Sequence, residues 1–142
     1  MPERLETAAF VLRPLTVHDV IRDYDAVMSS ASWLKGRMQE GSTWPDGLTV
    51  EENLIDLAWH QREFTIRHSF AYTVMSHDGE ICLGCCYIYP SSDPAFDAAA
   101  FYWARQSLVG DAADSALGDA FRGWLTRDWP FRNVAFPGRE AG

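Results

Sequence analysis

The stretch FYWARQSLVGDAADSALGDAF (101–121) joins an apolar, strand-like run to a helical pattern through a loop of small residues. A strand that ends at a helix start can hold an anion. The first helical N–H groups have no partner within the helix, and the helix dipole is positive there. Two features oppose an anion in this loop. Within the loop no lysine or arginine follows Arg105, and Asp111 and Asp114 bring carboxylates to the site. At an effective dielectric near 20, like charges about 5 Å apart repel by roughly 3 kcal/mol, which equals or exceeds what a helix terminus contributes. Either aspartate can instead cap the helix itself. Arg105 is the cation placed to reach a phosphate, its alternative being a solvated strand terminus.

Cys82, Cys85 and Cys86 form a CxxCC cluster. Zinc usually takes four ligands, often from two paired groups, and the sequence has no second pair. In a regular strand Cys82 and Cys86 face one side and Cys85 the other. The expectation is therefore no metal site and three small buried side chains. None of His18, His60, His68 and His77 has a serine, cysteine or carboxylate at the spacing of a nucleophilic triad. Six tryptophans are many for 142 residues. Trp33, Trp44 and Trp59 can wall a pocket for an apolar or cationic ligand, or simply pack in the core.

The elements that must position these residues follow from periodicity. Residues 10–15 (FVLRPL) predict a strand that Pro14 should end. Thr16 with Asp19 starts a helix over 17–30, whose apolar residues recur at helical spacing. Thr49 and Glu52 form a capping box for a second helix over about 50–67. The period then changes to two. Strands are predicted at 70–76 and 81–89 around an Asp78-Gly79 hairpin turn, and at 98–105. A third helix over about 113–128 ends before Pro130, and 133–136 is a last short strand. The final strand follows a helical crossover and should lie parallel to 98–105. The fold class is α/β, or α+β-like: a mixed, mostly antiparallel central sheet flanked by helices, in a single domain over 1–142.

Composition excludes several classes. The net charge of −8 repels nucleic acid and anionic membranes, so neither is an expected partner. No apolar run approaches a membrane span, and MPERLETAAF lacks the features of a signal peptide. A cytoplasmic location with reduced thiols is expected.

The order of elements, the opening FVLRPLTVHDV, the hairpin FAYTVMSHDGEICLGCCYIYP with its Leu83-Gly84 step, and the closing AAAFYWAR–loop–helix–NVAF resemble the GNAT acetyltransferase superfamily. Its members transfer an acetyl group from acetyl-CoA to an amine. The resemblance covers residues 10 to 136 and implies an acyl-CoA N-acyltransferase-like fold. It implies that Trp103, Ala104, Arg105, Ser107, Gly110 and Ala112 hold acetyl-CoA, mainly through main-chain groups. The family's loop has Gln or Arg where this chain has Ser107, and Gln106 stands one residue early. Asp97 and Tyr102 would lie near the acetyl group as catalytic candidates; loop chemistry and core packing are their alternatives. Trp33, Trp44 and Trp59 would border the groove for a small-molecule amine. Full members continue past the last strand and often draw a tyrosine acid from that part, for which no position here matches. The strand 133–136 would then be an edge that a second copy could cover in a homodimer.

Three functions follow: an N-acetyltransferase; a catalytically inactive binding or assembly protein on the same scaffold, without CoA affinity; or a pocket protein of unrelated α+β type. A splay between 98–105 and 133–136 separates the first two from the third.

Overall fold

The computed structural model describes residues 2–38, 41–106 and 110–139. Its elements are β1 (Leu5–Glu6), β2 (Val11–Pro14), a 3-10 turn (Val17–Asp19), α1 (Val20–Ser29), α2 (Ala31–Leu34), α3 (Val50–Thr65), β3 (Phe70–Met75), β4 (Cys82–Pro90), β5 (Ala98–Ala104), α4 (Gly110–Asp128) and β6 (Val134–Ala135). The strands form one six-stranded sheet whose spatial order is the chain order. Every neighbouring pair is antiparallel except β5 and β6, which are parallel across the α4 crossover. The expected α/β class and mixed sheet are therefore present. β1 and α2 are additions: two and four residues are too short to carry a periodic signal.

Local chemistry sets the boundaries. α3 starts where the Glu52 N–H donates to Thr49 Oγ1 at 3.1 Å and the Thr49 N–H donates back to Glu52 Oε1 at 3.0 Å. At the start of the first helical segment, Asp19 accepts the Thr16 N–H at 2.9 Å and both terminal nitrogens of Arg13 at 3.0 and 2.7 Å. This ties the helix start to β2. Pro14 closes β2, yet the Leu15 N–H still donates to Ala71 O at 3.0 Å, so pairing outlasts the proline by one residue.

Two apolar cores fill the faces of the sheet. α4 covers one face with Leu117, Phe121 and Trp124 against Tyr72, Ile88 and Tyr102. α1 and α3 cover the other, where Val27 and Leu57 meet Met75 and Trp103. Burial of such large side chains is the main stabilising term of the fold.

The register of β3 and β4 contains a bulge. Val74 faces Gly84, but the next residue, Met75, faces Cys82, so Leu83 is an extra residue. Gly84 permits this close approach: a Cβ there would lie 2.1 Å from Trp103 O.

Candidate active site

β5 and β6 pair only at Ala98↔Val134 and Ala99↔Ala135. Beyond Ala99 they part, because Phe136 leads into a turn at Pro137-Gly138 while β5 runs on to Ala104. The parting exposes the outer backbone edge of β5. Into this opening comes Arg139. Its Nη2 donates to Tyr102 O at 2.6 Å, and its two terminal nitrogens reach the Asp114 carboxylate at 2.7 and 3.1 Å. Asp114 Oδ1 also accepts the Ala104 N–H at 3.3 Å. A cleft of about 680 Å³ lies here, walled by Trp33, Arg37, Met38 and Phe101 on one side and by Tyr102, Asp114 and Arg139 on the other. Arg37 stacks over Trp33 at 4.3 Å.

A second cavity of about 360 Å³ lies between α1, α3 and the sheet. Aromatic side chains (Trp44, Tyr87, Tyr89 and Phe101) meet Asp23, Asp56 and His60 in its wall. Tyr87 and Tyr89 stack with ring centres 6.2 Å apart, and Phe101 meets Tyr89 edge-on at 5.7 Å. The Trp103 indole donates to the Tyr87 oxygen at 3.2 Å. Tyr24 donates to Leu48 O at 2.7 Å, which pins the loop that carries Trp44. Met38 and Phe101 belong to both cavities, so the two spaces meet on either side of one strand.

Burial governs the charges of this cavity. It pushes His60 down to about 4, so the imidazole is neutral at pH 7 and its unprotonated ring nitrogen can accept a hydrogen bond. It pushes Tyr89 up to about 12 and Tyr87 well above its ordinary value, so both keep their protons. Asp56 is raised by burial and by the neighbouring Glu52. Asp23 is raised by burial; its carboxylate accepts Asn53 Nδ2 at 2.9 Å and the Cys85 thiol at 3.3 Å.

The candidates named from the sequence fall in different places. Tyr102 lines the larger cleft, but its ring lies under the Arg139 guanidinium at 3.6 Å and its hydroxyl is against Gly118. Asp97 lines neither cavity. Its exposed carboxylate accepts the Arg132 and Asn133 N–H groups at 2.7 and 3.1 Å, which hold it below the usual carboxylate range. It clasps the segment before β6. Trp44 lines the smaller cavity and Trp33 the larger one, while Trp59 is 47% exposed on the outer side of α3, edge-on to His60.

Among the expected cofactor residues, Ala104 sits at the parting of the strands with its N–H taken by Asp114 and its carbonyl by Gln106 Nε2. Trp103 points into the core under α1 and α3. Arg105 is not a solvated strand terminus: it is buried and pairs with Asp25 at 2.9 Å. Gly110 opens α4 and Ala112 is exposed in its first turn. Ser107 lies outside the described residues, as does the Asp111 side chain. Asp114 does not cap its own helix; it serves β5 and Arg139. The thiols also need correction. The bulge at Leu83 turns Cys82 onto the face of Cys85, and Cys86 alone points to the other core.

The sequence reading missed Asp23, Asn53, Asp56 and His60. Asn53, Asp56, Leu57 and His60 follow the 3–4 spacing of one helical face, so polar residues recur on the stripe that Leu57 marks as inward. That mixed stripe was the available signal.

A sheet that parts between a parallel strand pair, beside a crossover helix, defines the fold of the acyl-CoA N-acyltransferases. No family model matches the chain, and no curated protein matches it by sequence. Its solved structural neighbours are GNAT acetyltransferases. RimL, a ribosomal L7/L12 alpha-N-protein acetyltransferase solved in complex with coenzyme A, aligns with a TM-score of 0.68 and 18% identity over 88% of this chain and 68% of its own. The ribosomal-protein-S5-alanine acetyltransferase from Vibrio fischeri gives 0.69 and 12% over 89% and 68%. An acetyltransferase from Thermus thermophilus gives 0.61 and 19% over 86% and 73%. The chain thus spans about two-thirds of the length of the first two. At these identities the likeness is one of fold.

Among the described residues no helix is long and apolar enough to cross a membrane.

Proposed function

We propose that this chain is an acyl-CoA-dependent N-acetyltransferase acting on a small amine. The observation that carries this reading is the meeting of two cavities at Met38 and Phe101, beside the point where β5 and β6 part. The larger cleft runs along the open edge of β5 and suits the arm of acetyl-CoA. Main-chain groups of β5 near Tyr102 and Ala104 would pair with that arm and polarise the thioester carbonyl. Arg139 must yield these positions when the cofactor enters. The smaller cavity suits the acceptor. Its aromatic walls and Asp56 favour an ammonium group; the ammonium loses a proton to solvent, and neutral His60 can accept a hydrogen bond from the amine that results. The free amine nitrogen then attacks the carbonyl carbon. A C–N bond forms, the C–S bond breaks, and the CoA thiolate leaves with a proton. Tyr87 and Tyr89 retain their hydroxyl protons at neutral pH and can donate hydrogen bonds within this space.

Several of the structural neighbours are ribosomal-protein acetyltransferases. The aromatic, partly enclosed acceptor cavity of this chain favours a compact amine over a protein terminus.

The test is calorimetric titration with acetyl-CoA, followed by mass spectrometry of a panel of primary amines incubated with protein and cofactor, with light scattering to read whether a second copy covers β6. Micromolar cofactor binding and an acetylated amine support the reading. No binding up to millimolar acetyl-CoA, in the wild type and in Arg139→Gln alike, would return the non-catalytic alternative.

A further inference from the structure

The bulge in β4 has a chemical result of its own. It brings Cys82 and Cys85 to one face of the sheet, where α1 presents Asp23. One ligand atom from each of these three side chains lies within 4.8 Å of the other two, and all three residues are buried. Among the described residues no other three His, Cys, Asp or Glu side chains converge so closely.

The geometry points to a binding site for one thiophilic divalent cation of the zinc class, held by Cys82 Sγ, Cys85 Sγ and an oxygen of Asp23. This inference stands independently of the acetyltransferase reading.

Three arguments support it. The first is ligand chemistry: two thiolates and a carboxylate are a donor set that zinc accepts, and three protein ligands leave a fourth position for a water. The second is spacing. Zn–S bonds of about 2.3 Å in a tetrahedral site put two sulfurs roughly 3.8 Å apart, which is compatible with three ligand atoms that all lie within 4.8 Å of one another. The alternative fate of two close thiols, a disulfide, fits poorly. Residues three apart on a strand, even with a bulge, have Cα atoms roughly 8–10 Å apart, and a disulfide needs about 4.4–6.8 Å. The third is the surroundings. Asn53 Nδ2 donates to Asp23 Oδ2 at 2.9 Å and fixes the carboxylate from outside, as supporting groups do for metal ligands. Asp23 also lines the smaller cavity, which gives an ion and a water an entry path. The sequence-based expectation of no metal rested on the lack of a second ligand pair and on regular alternation along β4; the bulge removes the second ground, and Asp23 adds a ligand from outside the cluster.

Titration of the reduced protein with Cd²⁺, in a phosphine reductant that leaves the metal free, tests this through the ultraviolet cadmium–thiolate charge-transfer band. The expected result is a band that saturates at one ion per chain, is lost in Cys82→Ser and in Cys85→Ser, and persists in Cys86→Ser. Asn53→Ala should weaken the affinity by about 10–100-fold. A band that survives Cys85→Ser, or one that needs Cys86, overturns the site. If the serine variants fail to fold, the wild type decides. Cd²⁺ should raise its melting temperature and shield Cys82 and Cys85, but not Cys86, from alkylation during brief exposure to denaturant. No band and no change in the melt up to millimolar Cd²⁺ also overturns it.

Discussion

Arg139 and Asp114 hold each other across the open edge of β5, with Nη1 2.7 Å from Oδ2. Each also holds the strand itself: Arg139 takes Tyr102 O and Asp114 takes the Ala104 N–H. The pair therefore stands in for a missing neighbouring strand. An incoming ligand that uses the same edge must replace these bonds with its own.

Arg139→Gln separates the two roles of that pair. Loss of a charge-assisted, partly buried contact should lower stability by about 1–3 kcal/mol. On the proposed function, uncovering Tyr102 O should tighten acetyl-CoA binding. Urea denaturation and calorimetry measure the two effects. Weaker binding in the variant would instead mean that Arg139 touches the cofactor.

Gly84→Ala should be among the most damaging single-methyl changes in the protein. The new Cβ would meet Trp103 O at 2.1 Å, a backbone atom that cannot rotate away. A loss of about 3 kcal/mol or more is expected. Gly123→Ala is the control. It lies within α4 with nothing nearer than Arg127 Nη1 at 3.7 Å. There the added methyl should stabilise by about 0.5–1 kcal/mol. Thermal melts of the two variants should move in opposite directions.

His60 makes stability depend on pH in a defined direction. Its folded value is about 4 against an ordinary 6.5, because burial disfavours the charged ring. Below about pH 6.5 the unfolded chain takes up a proton that the folded chain refuses. Stability from this source is complete above 6.5, falls as pH drops toward 4, and levels off below that. The full change is at most about 3 kcal/mol. Denaturation at about pH 7 and about pH 4.5 should show a smaller difference for His60→Gln than for the wild type.

Asp97→Ala should lower the melting temperature and leave acetyl-CoA binding unchanged. The carboxylate anchors the N–H groups of Arg132 and Asn133 and lines neither cavity. Asp97→Asn keeps a side-chain acceptor and should melt between the two. A loss of turnover in soluble, folded Asp97→Asn would show that the residue reaches the chemistry after all.

Much of the fold is written locally and could be read so. The capping box at Thr49, the Asp78-Gly79 turn and the apolar alternation of β3 to β5 each act through neighbours in sequence. What stayed hidden depends on distant partners. The destination of Arg105 is set by Asp25, far earlier in the chain. The face chosen by Cys82 is set by a bulge that strand periodicity does not encode. The role of Asp114 is set by Arg139, which lies beyond the whole of α4. For the site, Trp33 and Trp44 were legible as bulky aromatics near one loop. Asp23, Asn53 and His60 were not, because a buried polar group on a helix looks like a solvated one until its partner is known.

The matching of strand order to chain order bears on how this protein assembles and opens. Each strand pairs with the one before it, so the sheet can grow without threading a segment between two others. Two pairings close across helices, β2 with β3 across α1 to α3 and β5 with β6 across α4, and the second rests on two residues per strand. Cooperative opening of a native protein begins where such contacts are few. Amide exchange should thus be fastest around the two-residue edge strands β1 and β6 and slowest in β3 and β4. The edge that must move for a ligand to lie along β5 is one of the two whose release costs the rest of the sheet least.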